Sequence, residues 1–321
     1  LLAMIVALNV FKQGSRGPVV ALMPDLIPGE YRSEANGVIN MSSAVAAIIG
    51  TLFLARLMDL DLVLPVLGQV RGRLPFLLAA LLVVITVALL FGLVKERRTE
   101  AGAGADEERV GVWSSIALVL GSKDRSAPLI LASIFLWFFG YQGVLPFLST
   151  YMREVIGVSL GQTAMAPGAV AVAMTLCAVP SGYIAHRVGR RRTIRFALMA
   201  LALVLLALFA HGSLSSALGL GHGARLASFL GLMFLFGAFW IAIVANSFPM
   251  LWQMASHANI GVYTAVYYAA KESSSILSPP VTGAIADLLG MRWMFAVAAL
   301  CMAAAFFVMR GATSGEAPRE V

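Results

Sequence analysis

Long apolar runs separated by short polar breaks dominate the chain. A helix needs about 20 mostly apolar residues to cross the hydrocarbon core of a bilayer. Nine stretches approach or exceed that length, at roughly 1–26, 36–57, 74–94, 127–149, 161–184, 194–211, 226–248, 260–284 and 292–310. The pattern predicts an all-α, polytopic membrane protein with about nine transmembrane helices. Lys12, Gln13, Ser15 and Arg16 interrupt the first stretch. The longest polar break, Lys95–Arg125, holds KERRTE, the Gly/Ala-rich AGAGADEER and an amphipathic stretch around Trp113–Leu120. It predicts a linker with a surface helix. The expected organisation is therefore three helices over 1–94, a cytoplasmic linker over 95–126, six helices over 127–310 and a cytoplasmic tail over 311–321.

Composition agrees with this pattern. Sixty per cent of the 321 residues are hydrophobic, 12% are charged, and the mean hydropathy is +0.88. Such a chain has too little polar surface to face water, so its solvent is lipid. The net charge of +7 does not indicate nucleic acid, because the basic residues sit in short clusters between apolar runs. They also orient the chain. If the linker is cytoplasmic, so are the loops at 27–35, 185–195 and 249–259 and the tail. That side carries most of the Lys and Arg, against Arg56, Arg71, Arg73, Arg153, Arg225 and Arg292 opposite, as the positive-inside rule requires. Cys177 and Cys301 fall inside apolar runs and read as packing residues, not as a disulfide or a metal site. No H-E-x-x-H, P-loop or G-x-S-x-G motif is present. A non-enzymatic protein without cofactor or metal is expected. The chain opens on Leu1 inside an apolar run with no signal-peptide pattern, which suggests a truncated N-terminus.

The sharpest motif is Gly182-Tyr-Ile-Ala-His186-Arg187-Val188-Gly189-Arg190-Arg191-Arg192. It closes one span and opens the next. A tight turn needs Gly189, and the arginines can meet helix C-terminal dipoles, carboxylates and lipid phosphates. The alternative is an ordinary positive-inside loop. The motif resembles the loop signature of the major facilitator superfamily, G-x-x-x-D-R-x-G-R-R, with His186 in place of the usual Asp. The resemblance implies a twelve-helix carrier of two six-helix halves. This loop would join helices 8 and 9, and the nine spans would be helices 4 to 12. Gly182, His186, Arg187, Gly189, Arg190 and Arg191 then form a conformational-gating loop. The His departure argues against a charge relay through position 186, although an imidazole still donates hydrogen bonds.

A second run is Arg16-Gly-Pro18-Val-Val-Ala21-Leu22-Met-Pro24-Asp25-Leu-Ile-Pro28, followed by Glu30-Tyr-Arg32-Ser-Glu-Ala35-Asn36-Gly37. It resembles helix 4 and the next loop of the glycoside–pentoside–hexuronide and sucrose–proton symporters. On the residues alone, Asn9, Gln13 and Arg16 share one helix face, with Lys12 adjoining. An arginine deep in a span costs ~2.5–3.5 kcal/mol and should face water, solute or a carboxylate. This stripe reads as cavity lining. Snorkelling toward the interface is the alternative.

The third signal is Lys271-Glu272 within 260–284. The two are about 100° apart on a helix and need not pair. Thr264, Tyr268, Lys271 and Ser275 share a face suited to a polyhydroxylated ligand, and Glu272 is the best-placed carboxylate to bind and release a proton. A structural charge network between helices is the competing explanation. Pro279-Pro280 should kink or break this helix. Gly283, Asp287, Gly290 and Arg292 resemble the superfamily's joint between helices 11 and 12, with Asp287 able to pair with Arg292. Tyr141, Gln142 and Gly143, with Trp240, Asn246 and Ser247, are further candidates, because amides both donate to and accept from sugar hydroxyls. Interhelical hydrogen bonding would equally explain them.

Together these readings predict a secondary active transporter in the cytoplasmic (plasma) membrane, working by alternating access. Its solute would be small and polar, a sugar by resemblance, symported with protons. Lys12, Gln13, Arg16, Gln142, Asn246, Tyr268, Lys271 and Glu272 would line the site near the bilayer midplane. Two alternatives are an organic-anion or drug carrier of the same superfamily and a non-transporting membrane protein or inactive fragment.

Overall fold

The computed structural model describes residues 11, 45–46, 49–65, 68–93, 121, 125–254 and 260–314. The chain divides into two compact units, residues 1–49 with 61–109 and residues 50–60 with 110–321.

In the first unit, Val63–Leu64 and Gly68–Gln69 pair as a two-residue antiparallel ladder. The Gln69 side-chain amide donates to Asp61 Oδ1 at 2.9 Å. Helix α1, Leu74–Leu93, follows. It has no polar face, and nearly every side chain along it is exposed. A helix apolar all round needs hydrocarbon or other helices around it. Its one hydroxyl, Thr86, turns inward and donates to the Leu82 carbonyl at 2.8 Å.

A π-helical turn, Ile49–Phe53, carries the chain from the first unit into the second, where a 3-10 turn, Leu54–Asp59, follows. A regular span over 36–57 was expected, so the described end of that stretch differs: it is wound unevenly, and it stops at Asp59. Six long helices follow: α2 (Ser126–Tyr151), α3 (Met165–Val188), α4 (Arg190–Ala217), α5 (His222–Trp252), α6 (Ile260–Leu289) and α7 (Trp293–Arg310). Helix α2 runs on through a π turn to Ile156 and ends at Gly157, whose φ is +80°.

The helices do not pack in chain order. α2 lies between α6 and α7; α7 packs on α4, α4 on α5, and α5 on α3. The core sits where these faces meet, with Ile130, Ile134 and Trp137 of α2, Leu198, Leu201 and Leu205 of α4, Phe229, Phe236 and Trp240 of α5, and Phe295 and Met302 of α7 all buried. The outer surfaces are also apolar: Val179, Phe196, Leu203, Ile276, Leu288, Leu300 and Phe307 are exposed. A bundle that is apolar inside and out is built for lipid. Six helical segments among the described residues are long and apolar enough to cross a membrane, α1 to α5 and α7. α6 falls short because Lys271, Glu272, its serines and its prolines lower its hydropathy.

α6 also departs from the sequence expectation at Pro279-Pro280, through which it runs unbroken. Prolines remove backbone donors, but packing on α2 holds the helix together. The Ser278 hydroxyl bonds the Phe139 carbonyl of α2. At Gly143 of α2, an added Cβ would lie 2.5 Å from Thr282 Oγ1 and 2.8 Å from Ser278 Oγ. Glycine is what lets the two backbones come this close.

Candidate functional site

The polar residues that the sequence singles out on α2 and α6 meet. Gln142 Nε2 donates to Ser275 Oγ at 2.7 Å. Ser274 and Ser275 both donate to the Lys271 carbonyl, at 2.6 and 3.1 Å. Lys271 Nζ lies 3.4 Å from Glu272 Oε1. Neighbours on a helix need not pair, yet these do, because the two long side chains bend toward each other. The ammonium also sits 5.8 Å from the Phe138 ring centre and 5.6 Å from that of Tyr268. Such placements attract a cation through the ring quadrupole. Neither charged side chain is sealed: Lys271 is 21% exposed and Glu272 36%. Tyr268 is exposed as well.

An aromatic wall backs this cluster. Tyr141 stacks on Trp240 with ring centres 3.9 Å apart and planes 5° from parallel, and on Phe236 at 5.8 Å. Phe138 meets Trp240 and Tyr267 edge-on. The wall is contributed by α2, α5 and α6. The wall is largely buried; the cluster in front of it offers a cation, a carboxylate, an amide and hydroxyls that can hydrogen-bond a small polar molecule, and the exposed Tyr268 ring can stack against one. Asn246 is buried, and its amide donates to its own helix at the Ala242 carbonyl, 2.8 Å away. Ser247 donates to the Val244 carbonyl and lies 3.4 Å from the Tyr267 hydroxyl. Lys12, Gln13 and Arg16 lie outside the described residues.

The basic loop motif reduces to one residue between α3 and α4. Gly189 has φ +104° and ψ 141°, a conformation that side-chain-bearing residues rarely adopt. Its carbonyl accepts from the Thr193 amide and hydroxyl, which starts α4. Arg187 lies over Tyr183 of its own helix at 4.4 Å. Arg191 Nη1 donates to the Ala312 carbonyl at 2.7 Å and so ties α4 to the segment after α7. One terminal nitrogen of Arg190 is buried without a hydrogen-bond partner among the described residues. His186 and Gly182 are exposed, and a Cβ at Gly182 would meet nothing within 4 Å among them. The expected Asp287–Arg292 pair does not form. Arg292 turns instead to α4, where it donates to Ser213 Oγ at 3.3 Å and lies over the Phe209 ring.

A site missed in the sequence lies at the start of α3. Ser159 and Gln162 cap each other: the Gln162 amide donates to Ser159 Oγ (3.3 Å) and the Ser159 amide to Gln162 Oε1 (3.0 Å). This is a capping box, whose S-x-x-Q spacing just before an apolar run was the available signal. Asp59 adds to it by accepting from the Ser159 hydroxyl at 2.7 Å and the Gly161 amide at 3.0 Å. A carboxylate at a helix N-terminus is favourable. Beside it, Arg56, Asp59, Gln162, Met165, Leu230 and Phe234 help line a cavity of about 410 Å³.

Long apolar helices with a polar cluster on α2 and α6 define a polytopic membrane bundle. The sequence profile of the Major Facilitator Superfamily matches residues 1–267, and the chain belongs to that superfamily. Its fold is similar to the crystal structure of a bacterial homologue of the iron transporter ferroportin in an inward-facing state. There the TM-score is 0.63 at 16% identity, over 90% of this chain and 65% of the other. It is likewise similar to the structure of a bacterial metal transporter, at TM-score 0.60 and 16% identity, over 89% of this chain and 67% of the other. The chain thus spans about two thirds of the length of these structural relatives. No curated protein matches it.

Proposed function

We propose that this chain belongs to a secondary active carrier that moves a small polar solute across a bilayer by alternating access, with Gln142, Tyr268, Lys271, Glu272 and Ser275 contacting the solute. The supporting observation is the cluster itself. A cation and a carboxylate 3.4 Å apart stand in a helix pair whose other inward residues are uncharged, although ionisable groups inside a membrane bundle are costly and usually mark a solute or proton path. Superfamily membership supports the carrier class. In this reading the solute is hydroxyl-rich, a sugar by the resemblance of residues 16–37 to sugar–proton symporters. Glu272 exchanges its partner, Lys271, for a proton as the site turns. Lys12, Gln13 and Arg16 complete the site from the other half, and the Gly189 turn with its arginines is the gating loop. The three-plus-six arrangement of helices about a cytoplasmic linker is part of the same proposal, as is a plasma-membrane location.

A second reading is an organic anion, favoured by the Lys271 ammonium held on two rings and open to solvent. The structural relatives are a bacterial homologue of the iron transporter ferroportin and a bacterial metal transporter, so metal cations form a third class to test. Among the described residues no three His, Cys, Asp or Glu side chains gather as a metal site. The test is uptake into proteoliposomes of labelled disaccharide, dicarboxylate and ferrous iron, with and without an inward proton gradient. Gradient-driven disaccharide uptake lost in Glu272→Gln would support the sugar–proton reading. Uptake of the dicarboxylate or of iron alone would refute it and assign the other class.

A further inference from the structure

At the end of the helix bundle opposite Arg187–Arg192, the ends of α2, α4, α5 and α7 border an open pocket of about 300 Å³. Tyr151, Gly212, Ser213, Ser216, Arg225 and Arg292 are among its lining residues, and no carboxylate is. Arg225 lies in the first turn of α5, and Arg292 is the residue just before α7. Neither helix has an acidic residue in its first turn. A helix N-terminus carries partial positive charge and favours anions. Two guanidiniums at two such ends, in one pocket, are therefore electrostatically uncompensated by the residues around them. Arg225 Nε is buried with no hydrogen-bond partner among the described residues. A buried donor left unpaired is costly, and more so when charged. Arg292 spends one bond on Ser213 Oγ and keeps the rest of its fork. These donors and charges fit a ligand that accepts several hydrogen bonds and carries negative charge.

We propose that this pocket binds a tetrahedral oxyanion of the phosphate class, held between the Arg225 and Arg292 guanidiniums with the Ser213, Ser216 and Tyr151 hydroxyls around it. Guanidinium forks match phosphate oxygens in charge and geometry. Leu214 and Leu218, near Ser213 and Ser216 at the same end of α4, are exposed apolar side chains. Plain snorkelling of arginines to the interface would leave both side chains extended into solvent. Arg292 is exposed and held by Ser213; it is the buried Arg225 Nε that does not fit that. The site is separate from the Lys271 cluster and does not depend on the solute assignment.

The phosphate has two sources, an anionic phospholipid or free inorganic phosphate, and one experiment separates them. Phosphatidylglycerol, phosphatidylcholine or inorganic phosphate is titrated onto the detergent-purified full protein, and both retained lipid and melting temperature are read. Arg225→Gln and Gly212→Asp are compared with Arg153→Gln, an exposed arginine at the same end outside the pocket lining. A Cβ at Gly212 would lie 3.9 Å from both an Arg225 terminal nitrogen and the Tyr151 hydroxyl. An aspartate there would supply the anion internally while sparing the arginines, so this variant informs even if Arg225→Gln folds poorly. The expected result is preferential retention of phosphatidylglycerol, weakened roughly tenfold or more in the two pocket variants and unchanged in Arg153→Gln. Inorganic phosphate that stabilises the protein and displaces the lipid, with the same dependence on the variants, supports the site and names the free anion as its source. Equal retention of both lipids with no effect of phosphate, or binding that Gly212→Asp leaves intact, overturns the proposal.

Discussion

Gly143→Ala tests the close approach of α2 and α6. The new methyl would lie 2.5 Å from Thr282 Oγ1, and ordinary contact begins near 3.4 Å. The difference, 3.4 − 2.5, requires α2 and α6 to part by about 0.9 Å. Both Thr282 and Ser278 are fully buried, so neither can swing into solvent. Overpacking of this kind costs ~1–3 kcal/mol. Parting the helices also strains the bond from Ser278 to the Phe139 carbonyl, worth ~1 kcal/mol. The expected loss is ~2–4 kcal/mol, a fall of roughly 5–10 °C in melting temperature for a bundle of this size. Thr282 Oγ1 has no partner among the described residues, so Thr282→Ala alone should be neutral or slightly stabilising. Combined with Gly143→Ala it should recover ~1 kcal/mol or more, a coupling that a double-mutant cycle reads directly. Gln142 is the next residue, and its 2.7 Å bond to Ser275 spans the same interface, so the variant should also weaken solute binding. A Gly143→Ala protein that melts with the parent, or a cycle with no coupling, would refute this account of the α2–α6 contact.

Three further outcomes follow. Gln162→Ala and Asp59→Ala should each lower stability by ~0.5–2 kcal/mol through loss of a helix cap, read as a shift in melting temperature. Their effects should be less than additive, because both side chains accept from Ser159, Gln162 from its amide and Asp59 from its hydroxyl. Gly189→Ala should cost ~1–3 kcal/mol, since its backbone angles at the α3–α4 joint suit glycine alone; equal melting would mean the joint relaxes. Lys271→Ala should abolish transport while Lys271→Arg retains part of it, because both cations can pair with Glu272 and rest on Phe138 and Tyr268.

Much of this was legible in the sequence because hydrocarbon imposes a simple rule on chain composition. Seven of the predicted spans, from 74–94 through 292–310, correspond to α1 to α7, with ends shifted by a few residues. Gly189 and Gly290 were readable as turns, since both close basic or acidic helix ends, and both have positive φ. The meeting of Gln142 with Ser275 was only half legible. Periodicity put Tyr268, Lys271 and Ser275 on one face, but nothing in a single helix says which neighbour that face meets. The same limit hid the partner of Arg292. Sequence proximity favoured Asp287, whereas packing of α7 on α4 placed Ser213 and Phe209 nearer. The unbroken course of α6 through Pro279-Pro280 depends on its close seat against Gly143, a tertiary effect that local propensity cannot report. The Ser159–Gln162 box was local and could have been read.

The central claim is that the Lys271 cluster faces a path open to each side of the membrane in turn. Its most direct test does not require knowing the solute. Tyr268→Cys would be made with Cys177 and Cys301, the chain's two cysteines, replaced by serine, and reconstituted in sealed vesicles of known orientation. A membrane-impermeant thiol reagent would then be applied from inside or outside. Alternating access predicts labelling from both sides, with a reagent that locks the site toward one face suppressing labelling from the other. Labelling from one side only, or from neither in folded protein, would contradict the account.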